Sequence, residues 1–296
     1  MNWEFFFQYI IAGITYGTIY AVVAIGFNII YNATGIINFA QGEFVMIGGM
    51  TAVTFSHFMP LPLAVASAVL VTMIIGGVIE ILFIRWLYKP SVIRMIIITI
   101  GLSILIREMS LHIWGESVRA LPYFTGTSVT SINLGGVYIS PQVVWVVCIS
   151  AIAVVFLNVF FSYTLLGRQM RACSANRDAA RLCGINAGNM VTLSFMLSAA
   201  IGALAGCVVS PITYVQYDSG TPLAIKGFTV AILGGLGNSM AAVGAGMILG
   251  VLESFSIWIM PAAYKDAISI TILLLILFLR PSGIFGSAEV SRLKEF

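Results

Sequence analysis

Charge is what this 296-residue chain has least of. Only 8% of its residues are Asp, Glu, Lys or Arg, whereas 60% are hydrophobic, and the mean hydropathy is +1.04. Soluble domains carry about 25% charged residues, so a soluble enzyme or binding module is excluded. Histidine is almost absent: His57 and His112 stand alone, with no H-E-x-x-H. The four cysteines, Cys148, Cys173, Cys183 and Cys207, form no C-x-x-C. Zinc knuckles, zinc-protease helices and dithiol redox pairs therefore have no carrier, and the cysteines read as small semi-apolar fillers. No Gly-Lys dipeptide occurs, which removes a Walker A loop and an ATP site of that kind. Basic patches interleaved with aromatics, as nucleic-acid binding requires, are missing as well. The N-terminus, Met1-Asn-Trp-Glu-Phe-Phe-Phe, has no basic region and leads into an apolar run too long for a signal peptide, which predicts a retained first span.

What is present is a succession of apolar runs near or above the roughly 18–20 residues that cross a bilayer. Alternating segments of about 10 residues, the mark of a membrane β-barrel, are not seen. The expected fold is an all-α polytopic membrane protein forming one transmembrane domain over residues 1–296. About eight long transmembrane helices are predicted, at 5–31, 35–57, 62–84, 92–114, 141–163, 189–211, 240–260 and 265–280. One short broken or re-entrant segment is expected at 224–237.

Positive charge sets the orientation. Arg85, Lys89 and Arg94 share one short loop, Arg168, Arg171, Arg177 and Arg181 another, and Arg280, Arg292 and Lys294 end the chain. Placing these ten of the fourteen Lys and Arg in the cytoplasm puts the C-terminus inside. The 115–140 loop and the N-terminus then fall outside. Termini on opposite sides need an odd number of crossings, so the 224–237 piece should cross or nearly cross. Its Gly234-Gly-Leu-Gly237 run implies irregular backbone, tolerated at membrane depth only inside protein or along a water-filled cavity.

Residues 164–188 form the one long charged, helix-forming stretch. Across 167–184, Ala172, Ala175, Ala179 and Leu182 make an apolar stripe at spacing 3, 4, 3, with Arg171, Ser174, Asp178 and Arg181 opposite. Gly184 is placed to stop the helix, and Asn186 or Asn189 to cap the next one. Two readings stand: an amphipathic helix lying on anionic lipid, or a helix set into a protein groove. A stripe made mostly of alanine is shallow for lipid and suits a groove.

Polar residues within apolar runs mark pathways or buried partners. Asn38, Gln41 and Glu43 fall early in the second helix, near its cytoplasmic end; Asn38 and Gln41 share a face, and Glu43 points away. Glu80 precedes Arg85 by a turn and a half, as an interfacial carboxylate would. Lys226, at the outer start of the broken segment, and Glu253 have matching depth and opposite charge, so they either pair or snorkel separately. The G-x-x-x-G spacings Gly13/Gly17, Gly202/Gly206 and Gly246/Gly250 suit close helix packing within one bundle or at a dimer face. Gly101-Leu-Ser103 with His112 is a weak hydrolase pattern without a demonstrated Ser–His contact.

On these residues the chain resembles the permeases of ABC importers for branched-chain amino acids, the LivH type, over nearly its whole length. Gly13-Ile-Thr-Tyr-Gly-Thr-Ile-Tyr-Ala and Gly35-Ile-Ile-Asn-Phe-Ala-Gln-Gly-Glu43 are similar to the family's opening signature. Gly167-Arg-Gln-Met-Arg-Ala172 and Ala179-Ala-Arg-Leu-Cys-Gly-Ile-Asn186 are similar to its cytoplasmic coupling segment. Lys226-Gly-Phe-Thr-Val-Ala-Ile-Leu-Gly-Gly-Leu-Gly237, Tyr264-Lys-Asp266 and Arg280-Pro-Ser-Gly-Ile-Phe-Gly286 are similar to later blocks. The chain departs where the family usually has His at Gln41, and where a Glu is replaced by Ile84 with Glu80 one turn earlier.

The resemblance implies a non-enzymatic transport subunit of the bacterial inner membrane for Leu, Ile or Val; urea and amide importers are similar. An ion-coupled secondary transporter is the rival outside the family. It implies as partners a second permease, two cytoplasmic ATPases and a periplasmic binding protein. No cofactor would be bound by this chain, ATP and magnesium being used by the ATPases. ATPase coupling would fall to Gly167, Arg168, Arg171, Ala172, Ala175, Ala179, Leu182, Gly184, Ile185 and Asn186. Candidate residues of the translocation path are Asn38, Gln41, Glu43, Lys226, Gly234, Gly235, Gly237 and Glu253.

Overall fold

A computed structural model describes residues 3–86, 92–127, 129–134, 136–259, 261, 264–280 and 283. Lys89, Arg292, Lys294 and most of the 280–286 block lie outside the described residues. Eleven helices are described: α1 (Trp3–Thr34), α2 (Gln41–Ser56), α3 (Leu61–Ile79), α4 (Val92–Trp114), α5 (Pro141–Tyr163), α6 (Leu165–Ala175), α7 (Arg177–Leu182), α8 (Ala187–Thr213), α9 (Gly220–Gly234), α10 (Ser239–Ile259) and α11 (Lys265–Leu279). A short antiparallel hairpin, β1 (Ile132–Leu134) and β2 (Val137–Ile139), sits in the α4–α5 loop and pairs Ile132 with Ile139.

The expectation of about eight long spans is corrected to six among the described residues: Trp3–Thr34, Leu61–Ile84, Ile93–Trp114, Pro141–Tyr163, Ala187–Thr213 and Ser239–Trp258. The second predicted span shrinks because 35–40 is not helical. Asn38 turns its Oδ1 onto the Ala40 N–H at 3.1 Å, a local bond that competes with helix formation. Helix α2 therefore starts only at Gln41 and is about 24 Å long at 1.5 Å per residue, short of the roughly 30 Å hydrocarbon core. Helix α9 begins four residues earlier than expected and, with 15 residues, is shorter still.

These two short helices begin against each other inside the bundle. A Cβ on Gly220 would meet the Gly42 carbonyl oxygen at 2.6 Å, and a Cβ on Gly42 would meet that of Ala224 at 2.6 Å. Gln41 lies beside Gly26, eight residues before the end of α1. Gln41 is fully buried within the bundle.

Helix α1 is the central post, buried from Gly13 to Ala33 on nearly every side, and α8 is the second. The G-x-x-x-G pairs serve packing within the bundle. Gly13 and Gly17 of α1 interlock with Gly246 and Gly250 of α10, and Gly202 and Gly206 of α8 receive α2. Lacking a hydrophobic drive between helices, lipid-embedded bundles gain cohesion from such backbone approach. Helices α4 and α5 are exposed along most of their lengths, as surfaces facing lipid are. After Ile79 one π-turn, Glu80–Ile84, closes an Arg85 N–H to Glu80 carbonyl bond of 2.8 Å. It seats buried Glu80 on the Thr192 hydroxyl at 2.7 Å, with the Arg85 guanidinium 3.6 Å from its carboxylate.

Candidate functional site

The charged stretch that reads as one helix over 167–184 is two. Asn176 is extended (φ −156°), and its Oδ1 accepts from Asp178 N at 3.1 Å and Ala179 N at 2.9 Å, capping α7 while α6 ends. The signal lay in the sequence, since Asn followed by an acid in the first turn is a helix start. Thr164 caps α6 by accepting from Gly167 N at 3.0 Å.

At the far end Gly184 takes φ +79°, and the Ile185 N–H bonds to Ala180 O while that of Gly184 bonds to Arg181 O. This pair of bonds is a Schellman stop, which a side chain at position 184 would strain. Asn186, not Asn189, caps α8 by accepting from Asn189 N at 3.2 Å. Every turn of 164–189 is thus fixed by a local cap.

The break also re-aims the alanine stripe. Gly167, Met170, Cys173 and Ala180 turn into the bundle, and Ala172 is half-buried. Ala175, Ala179 and Leu182 face outward with Arg168, Arg171 and Arg181, and Leu182 is 91% exposed. Ile185 is half-buried against the core and Asn186 is exposed.

Burial pushes the Cys173 thiol up, with Arg177 and Arg181 pulling the other way. Its nucleophilic thiolate is thus scarce at neutral pH, whereas Cys183 is exposed. In single-cysteine variants, maleimide is expected to label Cys183 within minutes in detergent-solubilised protein. Cys173 should react only after unfolding, and mass spectrometry of the labelled protein reads both outcomes.

Above this segment the bundle holds four polar groupings. Gln41 is locked: its Nε2 donates to Ser198 O at 3.2 Å, and the Ser198 hydroxyl lies 2.5 Å from Gln41 Oε1 and 2.7 Å from Gly26 O. Glu43 accepts from Ser103 at 2.8 Å and from Thr221 at 3.5 Å. With Ser103 engaged there and the His112 ring bonded to its own helix at Glu108 O, Ser103 and His112 stand nine residues apart on α4, about 13 Å. No hydrolase pair is formed.

Asn28 and Asn32, which the sequence analysis passed over, hold the glycine break. Asn28 accepts from Gly237 N at 3.0 Å, and Asn32 donates to Gly237 O at 2.8 Å. Their i, i+4 spacing in an apolar run was the available signal. Gly235 (φ +86°) and Gly237 (φ +95°) make the turn, and Gly234 lies against Ala242 of α10.

The fourth grouping joins Lys226 and Glu253 at 2.6 Å and extends beyond them. Lys226 also meets Asp266 at 2.8 Å and the Tyr20 hydroxyl at 3.2 Å, and Lys265 meets Glu253 at 3.2 Å and lies over the Tyr16 ring. Helices α1, α9, α10 and α11 are tied there. Glu253 is 1% exposed, so only partners of this kind make its charge tolerable.

Two cavities open beside these groups. One of about 360 Å³ lies between α1, α2, α8 and α9 and is bordered by Tyr16, Tyr20, Asp218, Lys226 and Lys265. The other, about 370 Å³, is bordered by Asn32, Met170, Arg171, Gly237 and Asn238, so it runs from the charged segment to the glycine break. Of the expected path residues, Lys226 borders the first and Gly237 the second. Asn38, Gln41, Glu43, Gly234, Gly235 and Glu253 border neither.

Six candidate spans, paired short helices and a capped charged segment define a multi-span membrane protein. Residues 9–277 match the family described as branched-chain amino acid transport system / permease component, and the chain belongs to that family. It is 33% identical to the high-affinity branched-chain amino acid transport system permease protein BraD of Pseudomonas aeruginosa, over 97% of this chain and 98% of that one. It is 31% identical to the permease protein LivH of Salmonella typhimurium over the same shares. Among solved structures, PsaBC from Streptococcus pneumoniae in complex with Fab shares the fold, with TM-score 0.51, 11% identity and coverage of 95% of this chain and 94% of that one.

Proposed function

We propose that this chain is the permease subunit of an ABC importer that carries branched-chain amino acids across the inner membrane. Family membership and the names of its relatives support that cargo over urea or an amide. One observation carries the mechanism: the 164–189 segment is rigidly capped at each turn, yet it presents Ala175, Ala179, Leu182 and three arginines outward. Such a face fits a groove in a soluble partner. The partner is a cytoplasmic ATPase, one of two, and hydrolysis occurs there with ATP and magnesium.

In this reading the C-terminus is cytoplasmic and the N-terminus periplasmic. A second, related permease completes the path, and a periplasmic binding protein docks on the outer loops 115–140 and 212–223. Those loops are mutually anchored: Arg119 and Val215 exchange backbone bonds of 2.9 and 2.8 Å. Closure of the ATPase pair pushes α6. Helix α6 packs on α1, whose Asn28 and Asn32 hold Gly237, so the push reaches the glycine break and shifts α9 against α1 and α10. Pathway opening follows from motion at this break, where Gly235 and Gly237 both take positive φ. The path draws on Asn38, Gln41, Glu43, Lys226, Gly234, Gly235, Gly237 and Glu253, as lining or as hinge.

Ala179→Trp or Arg171→Glu is expected to cut leucine uptake at least tenfold in vesicles containing the assembled transporter. Full uptake with normal ATPase assembly would refute the coupling role.

A further inference from the structure

We propose that the cavity between α1, α2, α8 and α9 is a transit site for the zwitterionic backbone of an aliphatic α-amino acid, with Lys265 receiving the carboxylate and Asp218 the ammonium group. The inference rests on the import reading and deepens it by assigning contacts for the cargo.

The donor count selects Lys265 over Lys226. An ammonium has three donors, and Lys226 has three partners: Glu253 Oε1 at 2.6 Å, Asp266 Oδ1 at 2.8 Å and the Tyr20 hydroxyl at 3.2 Å. Lys226 is saturated and acts as a positioning residue that holds Glu253 in place. Lys265 borders the cavity, meets Glu253 at 3.2 Å and rests over the Tyr16 ring at 4.2 Å, which leaves it donors for a carboxylate.

At the other end Asp218 borders the same cavity, and its Oδ1 is buried without a hydrogen-bond partner. A buried acceptor left unmatched is costly, and a turn of the Asp218 side chain into the cavity would give it a substrate ammonium as donor. Asp218 lies just before α9 and Lys226 midway along it, eight residues on, about 12 Å at 1.5 Å per residue. Lys265 shares Glu253 with Lys226, so the cationic end lies at that depth. Both poles border the one cavity.

Between the two poles the walls include Ile19, Val45, Val209 and Leu223, which suit a branched aliphatic side chain. Opposite charges at the ends and an apolar belt between them match one ligand class: amino acids with both backbone charges and an uncharged side chain.

The test uses the assembled transporter in proteoliposomes with saturating liganded binding protein, following leucine import and ATP hydrolysis together. Lys265→Gln and Asp218→Asn are each expected to lower leucine imported per ATP hydrolysed at least tenfold, while Lys265→Arg stays within threefold of the parent. In a second measurement Thr213→Cys, at the cavity wall, is alkylated with maleimide. Leucine at millimolar concentration should slow the reaction severalfold, and leucinol or 4-methylpentanoate should not. Unchanged import per ATP in both neutralised variants, or equal protection by all three ligands, overturns the proposal. A purely structural staple would lower the amount of folded transporter and leave import per ATP intact, which also overturns it. Failure of the parent transporter to carry leucine would instead remove the import reading.

Discussion

Gly17→Leu is expected to leave little of the protein folded. At position 17 α1 and α10 touch backbone to backbone: a Cβ there would meet Gly246 O at 2.6 Å and Met247 Cα at 3.0 Å. Both are backbone atoms and cannot swing aside, so the whole helix pair must separate. Gly13, one turn away, faces the α10 backbone in the same manner, with Val251 Cα at 2.7 Å, so the damage spreads along the crossing. Overpacking in well-packed cores costs about 1–3 kcal/mol and at times more. Because close backbone approach is the chief attraction between helices in lipid, the upper end, about 3 kcal/mol or beyond, is expected here. Insertion into the membrane should continue, since leucine makes the span more apolar. Thermal unfolding in detergent and resistance to limited proteolysis read the loss. Gly101→Leu is the matched control: nothing lies within 4 Å of its added Cβ, and a change within about 0.5 kcal/mol is expected. Equal stability of the two variants would contradict the α1–α10 interlock.

The second large effect belongs to the buried ion cluster. Lys226→Met removes the nearest partner of Glu253, leaving that carboxylate with Lys265 at 3.2 Å. Breaking one side of a buried pair costs about 3–5 kcal/mol, because the remaining charge is stranded. The lower end applies, as Lys265 stays. Glu253→Leu strands less, since Lys226 keeps Asp266 and Tyr20. The double variant Lys226→Met with Glu253→Leu is expected to be more stable than Lys226→Met alone, with a coupling of about 2 kcal/mol from the double-mutant cycle. Additive losses would mean that the two charges do not see one another. The cluster also explains why α11, only 15 residues long, is held to the bundle: its Lys265 and Asp266 supply two of the four charges.

The sequence alone determined the material of this protein and its punctuation. Hydropathy placed the six spans, because crossing lipid is a property of composition within a window of about 20 residues, but it also counted α2 and α11, which are shorter than a crossing. Caps are similarly local: Gly184 and Asn186 ended and began helices where side-chain chemistry two or three residues away demanded it. Small-residue spacing marked the faces that would pack. Tertiary structure decided what lies far apart in sequence. Residues 35–40 are apolar enough to pass for helix, and only the docking of Gln41 on Gly26 and Ser198 shows that the chain re-enters before α2 starts. Lys226 and Glu253 were legible as a possible pair from depth and sign, whereas the joining of Lys265, Asp266 and Tyr20 required four helices to converge. Asn28 and Asn32 gained their role only when Gly237 arrived beside them from two hundred residues away. Local free energies write elements into sequence, while the partners of a buried polar group are chosen by the whole fold, because desolvation makes any unmatched arrangement too costly to persist.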